Sequence, residues 1–378
     1  LVAYASFTVL VLLDMPLIWA AISAHGFGHA AQVVPVLNAL GRIVPGLHAV
    51  LRTTVPASFF KDRLTIPWEH HAVQQDVGCI QDGPLTIDVE ATWREHARFH
   101  RSWEERLEAE TAAIAATRPA LVVADIPYLT LAAGKRAGIP VVALASFTWD
   151  LILAEYPAPS GVEKGAVLEA MRAAYAGADL ALRMAPAEKL DVFERVVDIG
   201  PVAEPSVPAH QALRETLGLA PEERSVLIGF GGIPLSALPF DQLESLDGFR
   251  MLFDGKIPSG SRRVLSGRSL PFSFKTLLAS ADIIVTKPGY GTIVEAVALG
   301  QPVIYVRRYN FADEQVLVDY LHRHGRGVEL PRDDFFAGRW EAALKGISTT
   351  TASPHPPVAG GAEEAAAFLA PYCANVRG

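Results

Sequence analysis

Cysteine is nearly absent from this chain. Cys79 and Cys373 are its only two, and neither belongs to a CxxC or zinc-type pattern. That spacing argues against a disulfide framework and makes a reducing cytoplasm the simplest setting. An excess of basic residues is missing too: 33 Lys and Arg stand against 41 Asp and Glu, for a net charge of −8. A general nucleic-acid binder is usually basic, so that class is set aside, although local basic pockets for phosphates stay open. No stable membrane span is expected either. The apolar stretch 1–13 (LVAYASFTVLVLL) is shorter than the ~20 residues a bilayer requires, and Asp14 and Pro16 end it before the first strand. It lacks the basic flank and cleavage site of a secretory signal. An extra strand, an interfacial segment or upstream sequence are the readings left for it, with peripheral contact at the inner membrane face open. Internal repeats and low-complexity tracts are also missing.

Core-forming material, by contrast, is plentiful. Half of the 378 residues are hydrophobic and a fifth are charged, enough for two domains with buried cores. Short apolar runs alternate with helical periodicity, as in parallel α/β sheets. Strands are expected near 17–23, 47–53, 120–125, 140–145, 179–183 and 196–199. A second series is expected near 225–230, 249–254, 263–266, 282–286, 302–306 and 326–329. One long helix is expected over 88–117, with Val89, Trp93, His96, His100, Trp103 and Leu107 as its packing stripe. The proline-rich segment GPVAEPSVP (200–208) reads as a linker. The expected organisation is therefore a first Rossmann-like domain over 1–203, a second over 209–361, and a final helix over 362–378 returning to the first.

Two strand-to-helix junctions carry the functional signal. In DIIVTKPGYGTIVEA (282–296), a strand enters a Gly-x-Gly turn that opens a helix. Gly289 and Gly291 let an anion approach main-chain N–H groups at a positive helix end. Lys287 can add charge, Thr292 a hydroxyl, and Tyr290 belongs to the same turn. Glu295 is placed to accept hydrogen bonds from ribose hydroxyls, although Thr292-x-x-Glu295 also reads as a capping box that needs no ligand. Downstream, Asp313, Glu314 and Gln315 follow a strand's carboxyl end and could bond sugar hydroxyls; Asp313 and Glu314 equally suit the first turn of a helix. Gly231 and Gly232 follow another strand and offer further backbone donors.

The first junction, ISAHGFGHAAQ (22–32), spaces His25 and His29 around Gly26 and Gly28. Three readings stand. A metal pair would require both imidazoles on one helical face, which the intervening glycines oppose. The pattern Gly26-x-Gly28-x-x-Ala31 also fits a dinucleotide fingerprint, but the next strand ends in Arg52 without a ribose-binding acid, leaving only an NADP-like version. In the third, a polar loop presents a histidine base to a substrate hydroxyl, with His29 the first candidate and His25 the second.

Taken together, HGFGHAAQVV, the segment 124–156, FGG (230–232), KPGYGTIVEA, YVRRYNFADEQ and GVELPRDDFFAGRW (327–340) resemble a GT-B glycosyltransferase. They are similar to the glycosyltransferase-like N-terminal region of plant L-arabinokinase and to the family of the N-acetylglucosaminyltransferase that completes lipid II. The resemblance covers most of the chain from about residue 18 to 345. It implies two doubly wound α/β domains facing a central cleft, and transfer of a sugar from a nucleotide diphosphate sugar, a UDP-sugar foremost, to an acceptor hydroxyl. Inversion, independence from metal and the lack of any required cofactor are implied with it. Glu295 then matches the ribose-binding carboxylate, and Gly289, Gly291 and Thr292 match the diphosphate-facing turn. Gln315 matches the donor-sugar contact and His29 the base, while Gly26, Gly28, Asp125 and Asp150 fall on the acceptor side. No kinase motif follows residue 345, so arabinokinase activity is not carried over. A nucleotide-sugar 2-epimerase and a non-catalytic sugar-nucleotide binder share the architecture and remain the rival expectations.

Overall fold

The computed structural model describes residues 15–231, 235 and 238–374. The apolar stretch 1–13 and Gly232 lie outside these described residues. The chain forms two compact units. Among these described residues, unit 1 comprises those up to Ile80, then Asp88–Val202, and those from Gly360 to Ala374; unit 2 comprises Gln81–Ile87 and those between Ala203 and Ala359.

Unit 1 is built on a seven-stranded sheet of β1 (Leu17–Ile22), β2 (His48–Arg52), β3 (Trp68–His71), β4 (Leu121–Asp125), β5 (Val141–Ala145), β6 (Leu180–Met184) and β7 (Val196–Ile199). All pairings are parallel, in the order β3-β2-β1-β4-β5-β6-β7. Strands β4 and β5 are buried at every position, as expected where helices cover both faces and the residues are Leu, Val and Ala. Strand β3 was not expected from the sequence. Its WEHH residues alternate between half-buried and exposed at the sheet edge, so it has no apolar run to read. Between the strands lie helices α1 (Gly28–Ile43), α2 (Ala57–Phe60), α3 (Val89–Arg101), α4 (Trp103–Thr117), α5 (Tyr128–Arg136), α6 (Trp149–Ala154) and α7 (Lys164–Ala176).

The single helix expected over 88–117 is two. Asp88 caps α3 by accepting from the Ala91 N–H at 2.8 Å. The chain breaks at Ser102, whose φ of −108° and ψ of 26° leave the helical region and whose hydroxyl accepts from Arg106 Nε at 2.9 Å. The break lets Trp103 stack on both His100 (centroids 5.2 Å apart) and Tyr128 (5.6 Å). Trp93, His96 and Leu107 from the expected stripe are buried, so that face does pack into the core.

Unit 2 carries six parallel strands: β8 (Arg224–Ile228), β9 (Phe249–Phe253), β10 (Val264–Ser266), β11 (Ile283–Thr286), β12 (Pro302–Tyr305) and β13 (Arg326–Glu329), in the order β10-β9-β8-β11-β12-β13. Its helices are α8 (His210–Leu217), α9 (Phe240–Glu244), α10 (Phe274–Ser280), α11 (Tyr290–Leu299), α12 (Glu314–His324), α13 (Arg332–Phe336) and α14 (Glu341–Gly346). Residues 81–87, inside the range expected to form the first domain, belong to this unit. Leu85 sits in its core with Phe335 and Trp340, and Thr86 accepts from Arg332 at 2.7 Å.

The last helix, α15 (Gly361–Ala374), packs on α1 in unit 1. Arg42 pairs with Glu363 at 2.7 Å, and Glu364 accepts from the Gly200 N–H at 2.9 Å. Position 361 admits only glycine, because an added Cβ would lie 2.0 Å from the Gly200 carbonyl oxygen.

Burial of His96 generates a stability prediction. Desolvation lowers its pKa from 6.5 to about 3, so the folded protein keeps it neutral, with Nε2 donating to the Gly78 carbonyl at 2.9 Å. The unfolded chain takes up a proton near 6.5 and the folded one does not, so stability present above that pH is lost as pH falls toward 3. The slope for this one group is about 1.4 kcal/mol per pH unit. Urea unfolding at pH 7, 6 and 5 should show that slope diminished by this amount in His96→Gln; an unchanged slope would place the acid sensitivity elsewhere.

Candidate functional site

Each sheet reverses its strand order once near the middle, at β1/β4 in unit 1 and at β8/β11 in unit 2. Open parallel sheets bind ligands outside the carboxyl ends of strands at such reversals. Both glycine junctions fall there.

In unit 1, Gly26 takes a φ of +75° and turns the chain out of β1, and Gly28 starts α1. The register aligns Ile22 with Asp125, the last residue of β4. His29, in the first turn of α1, then meets Asp125: Nδ1 lies 2.8 Å from Oδ1, with His29 6% and Asp125 1% exposed. With Asp125 ionised, Nδ1 carries the proton and donates it, which leaves the Nε2 lone pair as the basic position. Burial raises the Asp125 carboxyl, and the neighbouring imidazole opposes that rise.

His25 does different work. Its Nδ1 accepts from the Cys79 N–H at 3.3 Å, and its ring meets Trp149 edge-on at 5.2 Å. The Nδ1 atoms of the two histidines therefore serve different partners, Asp125 and the Cys79 N–H. Among the described residues no group of three or more His, Cys, Asp or Glu side chains is arranged to hold a metal ion. The NADP-like reading fails. Arg52 is held by Glu110 (Nη2–Oε2 2.5 Å), lies over the Trp19 ring at 4.8 Å and is buried, and Trp19 donates to the same Glu110 at 2.8 Å. That guanidinium is committed inside the core.

A second buried acid, Asp76, was not singled out in the sequence. It accepts from the Trp149 indole at 2.8 Å, and burial raises its pKa, with the Asp125 charge adding to the rise. Trp149 stands 6.2 Å from the His29 ring. Asp76 lies in a loop without periodicity, so no local pattern marks it. Asp150 lies in the first turn of α6, is 6% exposed and accepts from Arg172 Nε at 3.0 Å.

In unit 2 the turn after β11 runs Lys287-Pro288-Gly289. Gly289 is the N-cap of α11, so Tyr290, Gly291 and Thr292 form its first turn. The capping box expected of Thr292 and Glu295 does not form, because the helix already begins at Tyr290 and Thr292 lies inside it. Gly291 is helical without a positive φ, and an added Cβ would find nothing within 4 Å. Neither backbone geometry nor packing calls for glycine there. Gly28 in unit 1 is open in the same way. Tyr290 is buried, and Gly231, after β8, holds a φ of +67°.

Lys287 Nζ lies 3.5 Å from the position of a Cβ on Gly289. Part of the side chain still meets solvent, but burial of the ammonium and the nearby Arg308 charge lower its pKa to about 7. Glu295 is 9% exposed and pairs with Lys275 on α10 at 3.5 Å; burial raises its pKa and Lys275 opposes the rise.

Glu314 departs from expectation. It is fully buried, with Oε1 on Arg308 Nε at 2.5 Å and Oε2 on the Arg308 N–H at 2.9 Å. Both carboxylate oxygens help shape the loop after β12, and full burial keeps them from a sugar hydroxyl. In that loop Arg308 also covers the Phe311 ring at 4.0 Å. Tyr309 holds a left-handed φ of +63° with its hydroxyl on Glu329. Asp313 is the buried N-cap of α12, and Gln315 is exposed, donating to Asp319 at 2.7 Å.

No protein-family model matches the chain. Among curated proteins it is similar to L-arabinokinase of Arabidopsis thaliana, 28% identical over 341 residues, covering 86% of this chain and 31% of the arabinokinase. The chain thus spans about a third of that relative's length. Solved structures similar to it include the calicheamicin glycosyltransferase CalG4 (TM-score 0.59, 16% identity, 96% of this chain and 95% of that one). Medicago truncatula UGT71G1 complexed with UDP-glucose is also similar (0.59, 13%, 97% and 95%). So is the spinosyn rhamnosyltransferase SpnG complexed with thymidine diphosphate (0.56, 14%, 95% and 96%). The two parallel sheets with interleaved helices are the GT-B fold of these glycosyltransferases.

Proposed function

We propose that this protein transfers a sugar from a nucleoside diphosphate sugar to an acceptor hydroxyl, with inversion and without a metal. The observation that carries the reading is the His29–Asp125 pair at the strand-order reversal of unit 1. A protein that only bound a nucleotide would have no use for an oriented base. His29 Nε2 takes the acceptor proton as that oxygen attacks the anomeric carbon, and the bond from that carbon to the diphosphate oxygen breaks. Asp125 fixes the tautomer and stabilises the imidazolium that forms.

Unit 2 is assigned the donor. The leaving diphosphate is met by the main-chain N–H groups of Gly289, Tyr290, Gly291 and Thr292 and by the positive end of α11. Open space at Gly291 supports close approach of a phosphate. Lys287 supplies charge when protonated, and Glu295 is assigned the ribose hydroxyls. A UDP-sugar is the favoured donor, since UGT71G1 was solved with UDP-glucose; the thymidine diphosphate of SpnG makes TDP the comparison.

Gly291→Ala separates ligand from fold. Alanine is the better helix former by about 0.5–1 kcal/mol, so the melting temperature should hold or rise. Calorimetric affinity for UDP or TDP should nonetheless fall at least tenfold. Wild-type protein that binds neither nucleotide, or a variant that binds them unchanged, would remove the donor site.

The base is tested by product analysis with UDP-sugars and a panel of acceptor alcohols. His29→Ala should lower kcat by roughly 10²–10⁴ with nucleotide affinity retained. Asp125→Asn should lower kcat with the same retention. Conversion of UDP-N-acetylglucosamine with no acceptor present would instead identify an epimerase.

A further inference from the structure

We propose that the site beside His29 takes an uncharged polyhydroxy acceptor, a sugar or polyol, and turns away acceptors that carry a phosphate or carboxylate. The inference rests on the sugar-transfer reading and names its acceptor class.

Four buried side chains around this site are only half satisfied. Asp125 gives Oδ1 to His29, while its Oδ2 has no hydrogen-bond partner among the described residues. Asp150 gives Oδ2 to Arg172 and leaves Oδ1 without one. Gln32, one turn beyond His29 on α1, has no partner for Oε1. Gln75 accepts from Thr130 at 2.6 Å but has no partner for Nε2. All four residues are at least 94% buried. Asp125 bonds His29 directly and Gln32 follows it by one turn on α1, while Trp149, its ring 6.2 Å from that of His29, precedes Asp150 in the chain and donates to Asp76, the neighbour of Gln75.

A buried polar atom left unpaired costs about 1–3 kcal/mol, and native interiors hold few. Three of these atoms accept and one donates. A hydroxyl both donates and accepts, so a polyol suits both kinds of vacancy. A phosphate or carboxylate has no proton for the three acceptors. It would also stand among carboxylates, and burial already disfavours negative charge at Asp76 and Asp125. The nearby cations are committed, Arg172 to Asp150 and Arg52 to Glu110. Phe27 completes the set. It lies in the turn between His25 and His29, 40% exposed, and stacks on Phe59 at 5.2 Å. A pyranose can rest its C–H face on such a ring and keep its hydroxyls for the polar groups.

The test compares ligands on the wild-type protein saturated with UDP, by competition NMR. The probes are methyl β-glucoside, glucuronate, glucose 6-phosphate and the flat phenol 4-methylumbelliferone. The glucoside should bind at least tenfold more tightly than each of the other three, and Asp150→Asn should narrow its advantage over glucuronate. Equal or tighter binding of an anionic probe or of the phenol overturns the proposal. So does failure of all four probes while UDP still binds, which leaves the donor assignment standing. Failure of UDP itself removes the sugar-transfer reading and this inference with it.

Discussion

The pairing of β1 with β4 governs the chemistry assigned to unit 1. Those strands are neighbours although two strands and four helices separate them in the chain, and their register sets Ile22 against Asp125. The Gly-x-Gly turn after β1 then needs only one helical turn to bring His29 onto the carboxylate. The result is a buried hydrogen bond between residues 96 positions apart. Removing one partner would leave the other buried with its bond unmade, which is why position and chemistry are so tightly linked here.

Unit 2 uses the same reversal for the opposite charge. The turn at Gly289–Gly291 opens a helix whose positive end is joined by Lys287, with Arg308 beside it. Arg308 does not swing freely, because Glu314 takes both its guanidinium and its backbone N–H. A fully buried ion pair adds little net stability compared with an apolar core. Its visible effect is to hold one shape for the loop after β12. Unit 1 sets Asp76 and Asp125 beside His29, whereas unit 2 sets Lys287 near Arg308 with Glu314 and Asp313 close by.

Much of the fold was legible because its strands are short apolar runs bounded by glycine, proline or helical periodicity. Twelve of the thirteen strands among the described residues lie within a residue or two of the expected positions, although one of them, β13 (RGVE), is itself a half-buried edge strand with little apolar character. The exception, β3, reads WEHH: an edge strand with partly exposed faces carries no hydrophobic signature. The break at Ser102 was hidden for a related reason. A helical stripe continues in phase across a one-residue kink, so periodicity alone cannot reveal it. The glycine turns were visible as candidate anion sites, but the partner of each titratable side chain was not. Asp125 was placed on the acceptor side only by the resemblance, without any hint that His29 would meet it. Glu314 looked like a sugar ligand because acids after a strand often are; its pairing with Arg308 depends on how the intervening loop closes.

Local interactions thus suffice to specify strands, helices and backbone donors, since those depend on residues a few positions apart. The sequence by itself determined that two α/β sheets would form and that each would carry a glycine-opened helix at a strand's carboxyl end. Tertiary structure decided which acids and bases meet, through strand order and register, because contacts between residues distant in the chain leave no periodic trace. It also decided which of them stay buried with an atom unpaired, and so which groups remain available to a ligand.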